Sequence, residues 1–246
     1  VSELNARLFA KLWLLLAPRG WAMAGLRWHA LSSLWWLRII CGVRMEVRGA
    51  EKLPPGACLV VAKHQSAWDT FALIPLFADP AIVMKDELKW IPLYGWFCVK
   101  FEHILVRRDR AAAALKALIR DAREKVAAGR QIVIFPEGTR RTPGDLPDYK
   151  PGYIALYEGL GVPCVPLALN SGLFWPRRSA ARYPGTIVVE ILPALPPGLP
   201  RAELKRRVEI AIETASARLI AEAASADPAL PLPEPARRVV ETVKNN

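Results

Sequence analysis

One histidine of the chain lies in a segment whose residue types could do acid–base chemistry. His64 is followed by Asp69 within the string KHQSAWDT at 63–70. A neutral imidazole can take the proton of an alcohol and later return it. A neighbouring carboxylate fixes the tautomer of the ring and stabilises the imidazolium that forms. The pair therefore indicates proton abstraction from a hydroxyl group.

The spacing of this pair restricts where each residue can lie. On an ideal helix, residues five positions apart are separated by about 140° around the axis and ~7.5 Å along it. A hydrogen bond between His64 and Asp69 thus requires His64 before a helix and Asp69 within its first turns. An apolar strand predicted at 58–62 ends two positions before His64. Strand ends are where active residues of open α/β sheets tend to lie.

A second constellation, the string FPEGTR at 135–140, follows another apolar strand. Its proline and glycine would hold a turn that exposes the Glu137 carboxylate and the Arg140 guanidinium at the sheet edge. Arginine in such a place is suited to bind a phosphate through forked, charge-assisted hydrogen bonds. A His and an Asp at this spacing arise by chance in about one chain in ten, whereas a specified six-residue string arises at odds of order 1 in 100,000. The hexapeptide is therefore the more informative motif.

The elements that would position these motifs follow from hydrophobic periodicity. Seven strands are predicted, at 43–47, 58–62, 81–84, 103–106, 131–135, 164–169 and 186–191. Two amphipathic helices are predicted at 110–128 and 201–224, because apolar residues recur there at intervals of three and four. This alternation predicts an α/β fold with a mixed, mostly parallel central sheet flanked by helices. The proline-rich segment 227–246 is predicted to be an extended tail.

The first 41 residues have a different composition. They contain five of the nine tryptophans, with four arginines and one lysine interspersed and Glu3 as the acidic residue. Two helices are predicted there, at 3–17 and 21–40. Their longest uncharged stretch, at 28–37, is about half of the roughly 20 residues that a bilayer-spanning helix needs. Tryptophan with spaced cations is typical of headgroup-level segments, so we predict a two-helix membrane-surface anchor at 1–41 before an α/β domain at 42–226.

The whole chain carries a formal net charge of +11, which favours polyanionic partners such as nucleic acid, anionic lipids or phosphorylated substrates. Nucleic acid is disfavoured because the sequence has no zinc-ligand spacing, RNP-like string or recognition-helix pattern. A serine hydrolase is disfavoured because no Gly-x-Ser-x-Gly elbow is present. His29 and His103 are interpreted as structural or interfacial residues.

The order of the motifs resembles the signature of the glycerolipid acyltransferase superfamily, in particular its 1-acyl-sn-glycerol-3-phosphate acyltransferase family. The resemblance covers roughly residues 55–172. Further blocks lie in the family's order, namely MKDEL at 84–88, LVRR at 105–108, KPG at 150–152 and VPLAL at 165–169. The resemblance implies His64 as the general base and Asp69 as its orienting partner. It also implies substrate binding by Glu137, Gly138 and Thr139, the first two by positioning the glycerol moiety.

The resemblance assigns the acceptor's phosphate to three cations, Lys85, Arg108 and Arg140. One position departs from the family pattern, since relatives often carry an acidic residue where this chain has Arg107. The additional cation could tighten phosphate binding, mark a different acceptor, or be an ordinary solvated surface charge.

The implied reaction is direct attack of the acceptor's free hydroxyl on an acyl thioester, either acyl-coenzyme A or acyl carrier protein, as co-substrate. No acyl-enzyme, metal or organic cofactor is implied. The implied partners are membrane lipids and a lysophospholipid acceptor, at the cytoplasmic face of a bacterial inner membrane. Three alternatives stay open: a lyso-ornithine lipid or other lysophospholipid as acceptor, lipid-to-lipid transacylation, and a non-catalytic lipid-binding protein.

Overall fold

The structure, a computed structural model, describes residues 15–92, 94–107 and 111–244. The strands in these residues are β1 Val43–Arg48, β2 Leu59–Ala62, β3 Pro80–Lys85, β4 Ile104–Val106, β5 Gln131–Ile134, β6 Cys164–Leu169 and β7 Gly185–Ile191. They form one sheet in the order β1-β7-β6-β2-β5-β3-β4. The strands from β6 to β4 are parallel, whereas β7 pairs antiparallel with β6 and parallel with β1. The sheet is therefore mixed and mostly parallel, and the seven predicted strands are confirmed.

Helices flank the sheet on both faces. Within the described residues they are α1 Arg19–Cys41, α2 Asp69–Ala72, α3 Tyr94–Lys100, α4 Ala111–Ala127, α5 Gly152–Leu160, α6 Ser171–Phe174, α7 Arg201–Ala226 and α8 Glu234–Lys244. The two predicted amphipathic helices are confirmed as α4 and α7. Helix α4 ends just before Gly129, whose φ of +77° lies in the left-handed region that commonly closes helices.

The two faces of the sheet bury separate apolar clusters. In β2, Val60 and Ala62 join one cluster, and Leu59 and Val61 join the other. Successive side chains of a strand point to opposite faces, so this fully buried strand contributes to both. Apolar runs of this kind are typical of central parallel strands covered by helices on both sides. The core therefore holds β2 rigidly at the centre of the sheet, and the strand ends two positions before His64.

Helix α1 is the part of the predicted anchor that the structure describes. The other predicted anchor helix, at 3–17, lies almost entirely outside the described residues. Inward-facing residues of α1, among them Ala22, Met23 and Ala30, are buried against the domain, and Arg19 forms two hydrogen bonds with the Asp79 carboxylate at 2.9 and 2.6 Å. Among the described helices, none combines the length and the apolar character needed to span a bilayer.

The prediction of an extended tail after residue 226 is wrong for its second half. Helix α8 occupies that part and buries Ala236 and Val240 against one of the two core clusters. Proline did not prevent this helix, because Pro235 lies in its first turn, where a backbone N–H has no intrahelical partner in any case. The other three prolines precede the helix.

Candidate active site

Four polar side chains are brought to one edge of the sheet by neighbouring parallel strands. His64 follows β2, Glu137 follows β5, Ser171 follows β6, and Lys85 is the last residue of β3. These strands are adjacent and parallel, so their carboxyl ends lie at the same edge. This edge is where open α/β sheets usually bind ligands.

His64 and Asp69 form the predicted hydrogen-bonded pair. The distance between His64 Nδ1 and Asp69 Oδ2 is 2.9 Å. Asp69 is the first residue of α2, and His64 lies in the loop before that helix. This is the arrangement that the spacing requires. The backbone therefore turns between them as predicted, and the helix places the carboxylate under the imidazole.

The Asp69 carboxylate is fully buried and is held by several donors besides the imidazole. Its Oδ2 accepts the backbone N–H groups of Gln65 and Ser66 at 2.8 and 2.9 Å. Its Oδ1 accepts the Ser171 hydroxyl at 2.5 Å. A carboxylate that accepts this many hydrogen bonds is fixed in orientation. Because the ionised carboxylate can only accept, the proton of the neutral imidazole lies on Nδ1, and Nε2 keeps its lone pair.

The imidazole of His64 is also fixed from its face. The Phe135 ring stacks on it, with ring centroids 4.1 Å apart and an interplanar angle of 24°. The side chain retains 13% of its exposure, so the ring stays accessible to a substrate at the edge of the sheet. With Nδ1 bonded to Asp69, the arrangement can accept a proton from a hydroxyl group at Nε2.

Glu137 lies against the histidine loop and is 2% exposed. Its Oε1 accepts the backbone N–H of His64 at 3.3 Å, and in return the backbone N–H of Arg141 donates to the His64 carbonyl at 2.8 Å. The two motifs are thus joined by reciprocal hydrogen bonds. Glu137 Oε2 has no hydrogen-bond partner among the described residues. Burial raises the pKa of Glu137 to about 7, although the charge of Lys63 acts in the opposite direction.

Lys63 lies between two carboxylates in the interior. Its Nζ is 2.5 Å from Glu213 Oε1 on α7 and 3.8 Å from Glu137 Oε1. Glu213 also accepts the Tyr149 hydroxyl at 2.6 Å, and Lys63 lies over the Tyr149 ring, 5.5 Å from its centroid. A buried cation needs such partners, since an isolated buried charge is very costly. Lys63 therefore links Glu137 and the loop that carries His64 to the long helix α7.

The remaining predicted substrate-binding residues lie on the periphery. Gly138 has a φ of +64°, a left-handed conformation that glycine adopts without strain. Thr139 and Lys85 are exposed, and Arg140 is half-buried. Arg108, the third predicted phosphate ligand, lies outside the described residues. The structure thus places the described substrate-binding candidates around the carboxyl edge of the sheet. The cations Lys85 and Arg140 lie further out than His64, Asp69 and Glu137.

The sequence analysis missed two residues of this arrangement. Ser171 supports Asp69, and it lies two positions after a buried strand, just as His64 does, so the strand-end rule could have identified it. Lys63 gave no comparable signal, because its burial depends on a carboxylate that is 150 positions away. By contrast, His103 is structural as expected. Its Nδ1 accepts the backbone N–H of Ile82 at 3.2 Å, and burial lowers its pKa to about 4.

These features define an α/β protein with a hydrogen-bonded His–Asp pair at the carboxyl edge of a mixed sheet. A family model described as Acyltransferase matches residues 44–170, which contain both motifs and more than half of the chain. The chain belongs to this family. The resemblance drawn from the motifs is thereby confirmed.

Individual relatives agree with this assignment. The chain is 39% identical, over 66% of its length, to the 1-acyl-sn-glycerol-3-phosphate acyltransferase of Pseudomonas aeruginosa, of which the match covers 63%. It is 29% identical, over 65% of its length, to the human 1-acyl-sn-glycerol-3-phosphate acyltransferase alpha, of which 58% is covered. The chain thus spans less than two thirds of these relatives. Its fold matches the crystal structure of the LPA acyltransferase PlsC from Thermotoga maritima with a TM-score of 0.70, 25% identity and 89% coverage of both chains.

Proposed function

We propose that the protein transfers an acyl chain from an acyl thioester to the free hydroxyl of 1-acyl-sn-glycerol-3-phosphate, giving phosphatidic acid. The observation that carries this proposal is the His64–Asp69 hydrogen bond of 2.9 Å beside the buried carboxyl of Glu137. Membership of the Acyltransferase family supports the reaction type. The names of the relatives support the acceptor.

In the proposed mechanism, His64 Nε2 takes the proton of the acceptor's hydroxyl as its oxygen attacks the thioester carbonyl carbon. Asp69 stabilises the imidazolium that forms, as a buried carboxylate does in other acyl-transfer enzymes. The tetrahedral intermediate then collapses, the C–S bond breaks, and the imidazolium returns its proton to the departing thiolate. The mechanism needs no acyl-enzyme, metal or organic cofactor. Coenzyme A or acyl carrier protein enters only as the thiol of the co-substrate.

We assign acceptor recognition to the residues around the pair. In its ionised form, Glu137 would accept a hydrogen bond from the glycerol moiety at Oε2, the atom that has no partner among the described residues. The backbone at Gly138 and Thr139 would approach the same moiety. Lys85 and Arg140 would bind the phosphate from the rim, together with Arg108. A dianionic phosphate at this place is consistent with the positive charge of the chain.

We further propose that α1 lies in the surface of a bacterial inner membrane, on its cytoplasmic face. Its outward face exposes Trp21, Trp28, Trp35 and Ile39, whose spacing of about one or two turns puts them on one side of the helix. Helix α1 carries no acidic residue. A lysolipid could then reach the site without leaving the interface.

The direct test measures thiol release from palmitoyl-coenzyme A, with and without 1-acyl-glycerol-3-phosphate, for the wild type and for His64→Ala. Release that depends on the acceptor and disappears in the variant would support both the transfer and the base. Near-normal release by a folded His64→Ala protein would refute the role of His64. The fold should survive this substitution, because the His64 side chain belongs to neither of the two core clusters.

The choice of donor and acceptor requires a substrate panel. If the wild type releases no thiol from coenzyme A, acyl carrier protein donors and lyso-ornithine acceptors should be tested next. Inactivity with each of these would favour a non-catalytic lipid-binding protein. With the phosphorylated acceptor, Arg140→Ala should chiefly raise KM, since a rim cation contributes to binding before and during the reaction. An unchanged KM would place the phosphate elsewhere.

A further inference from the structure

A second group of exposed apolar side chains lies outside α1. It consists of Trp90, Ile91, Tyr94, Trp96 and Val99, which we call the 90–99 surface. Trp90 is 76% exposed, Trp96 53% and Val99 59%. Elsewhere in the described part of the chain, α1 and Leu16 before it aside, the exposed large apolar residues are the isolated Leu146, Ile210 and Val243. Clustered exposure of this kind marks interaction sites, whereas single exposed apolar residues do not.

The fold does not use this surface for its own core. Helix α3 buries Gly95 and Cys98, and Phe97 and Phe101 pack with Met23 of α1 in a small separate cluster. Trp96 and Val99 are three positions apart and therefore share a face of α3, and both are more than half exposed. The outward face of α3 is thus available for a partner.

The position of the surface connects α1 to the candidate active site. The 90–99 surface begins five positions after Lys85, which ends β3 at the sheet edge where His64 and Glu137 lie. Helix α3 then runs back towards the opposite edge, where its end packs against the first half of α1. The 90–99 surface therefore extends from near the rim of the site towards the first half of α1, whose outward face carries Trp21 and Trp28.

The composition of the segment favours a lipid headgroup region as the partner. Tryptophan and tyrosine are enriched at membrane interfaces, where their rings lie at headgroup level. Lys89 and Lys100 flank the surface, in a stretch from 88 to 101 that has no acidic residue and is bordered by Asp86, Glu87 and Glu102. Lys89 Nζ lies 5.2 Å from the centroid of the Trp90 ring and also pairs with the Asp86 carboxylate at 2.7 Å, so a paired cation and an indole are presented together.

We propose that the 90–99 surface is a second membrane-contact surface, which seats the rim of the site on an anionic bilayer together with α1. Contact through two elements restricts rotation of the domain about α1. It keeps the edge that carries His64 against the lipid, where an amphiphilic acceptor would enter. The contact itself does not depend on the proposed reaction, and only the activity readout below rests on the proposed function.

The test uses the full chain and vesicles of phosphatidylcholine with about 30 mol% phosphatidylglycerol, whose anionic surface attracts lysine. The variant Trp96→Ser/Val99→Ser should sediment with these vesicles about tenfold more weakly than the wild type. A tenfold change equals about 1.4 kcal/mol, or ~55 Å² of apolar surface withdrawn from water at ~25 cal/mol per Å², which Trp96 alone could supply. The control Ile210→Ser/Val243→Ser removes two isolated exposed residues and should bind as the wild type does.

Equal partitioning of Trp96→Ser/Val99→Ser and the wild type would overturn the proposal. So would a change in oligomeric state without a change in partitioning, which would identify a second copy as the partner. A second variant, Lys89→Gln/Lys100→Gln, should weaken binding several-fold at low salt and reduce its salt dependence. If this variant retains wild-type salt dependence, anionic lipid is not the ligand of these lysines.

Activity separates this proposal from the proposed function. Trp96→Ser/Val99→Ser should acylate a detergent-dispersed, short-chain acceptor at the wild-type rate and lose activity only on acceptor embedded in vesicles. A loss of equal size on both presentations would overturn the proposal. If the wild type transfers no acyl group in either presentation, the proposed reaction is wrong. The difference in vesicle binding between the variant and the wild type would still test whether the 90–99 surface contacts the membrane.

Discussion

Glu137→Gln should make the protein less stable at pH 5 and more stable at pH 8. The free carboxyl has an ordinary pKa of 4.5, and burial raises it to about 7 in the folded chain. The protonated form therefore contributes stability that is fully present below about pH 4.5 and is lost as the pH rises to about 7. At about 1.4 kcal/mol per pH unit, the ionised carboxyl lowers stability by about 3 kcal/mol at pH 8.

Glutamine does not titrate, but it has its own cost. Its oxygen can still accept the His64 backbone N–H, while its amide nitrogen would replace Oε2, which has no partner among the described residues. An unpaired buried donor costs roughly 1–3 kcal/mol at every pH. The variant should thus lose about 1 kcal/mol at pH 5 and gain about 1 kcal/mol at pH 8 relative to the wild type, a swing of about 2 kcal/mol.

Urea denaturation at the two pH values measures this difference directly. The matched control is Glu158→Gln, which changes an exposed carboxyl on α5 and should leave the pH dependence of unfolding as in the wild type. A Glu137→Gln effect of the same size and sign at both pH values would refute the reasoning, because it would mean that Glu137 titrates alike in the folded and unfolded chains. The same variant should raise the KM for the lysolipid substrate, since the carboxylate oxygen proposed to accept a hydrogen bond from its glycerol moiety is lost.

Three further substitutions test the supports of the site. Asp69→Asn should lower kcat on the order of 10³-fold, because an amide cannot accept from every present donor and the imidazole tautomer is no longer fixed; a drop of less than tenfold in kcat measurements would contradict this. Ser171→Ala should cost roughly 1–3 kcal/mol in urea unfolding, since it leaves a buried oxygen of Asp69 with one donor fewer, and an unchanged stability would mean that this hydrogen bond is not formed. Lys63→Met should destabilise the fold by roughly 3–5 kcal/mol, and Lys63→Met/Glu213→Gln should recover part of that loss. No recovery in the double variant would show that the ion pair of 2.5 Å is not the cause.

Much of the framework followed from local sequence patterns. The seven strands are short, apolar and bounded by turn residues, so period and composition predicted each of them to within a few positions. The helices α4 and α7 were predicted because each keeps one apolar face over several turns. By contrast, α2 and α6 are four residues long and offer no period to detect. Helix α8 was missed because prolines were given more weight than the buried pair Ala236 and Val240.

The sequence alone determined the residue types of the site, the loop–helix arrangement of His64 and Asp69, and the family. These features are local, since spacing along the chain and a strand end are enough to infer them. Only the tertiary structure decided the second half of the site. Lys63 is buried against Glu213, and Ser171 donates a hydrogen bond to Asp69. Each of these contacts joins residues about a hundred or more positions apart. Such contacts depend on which strands are neighbours in the sheet, and no local pattern encodes that order.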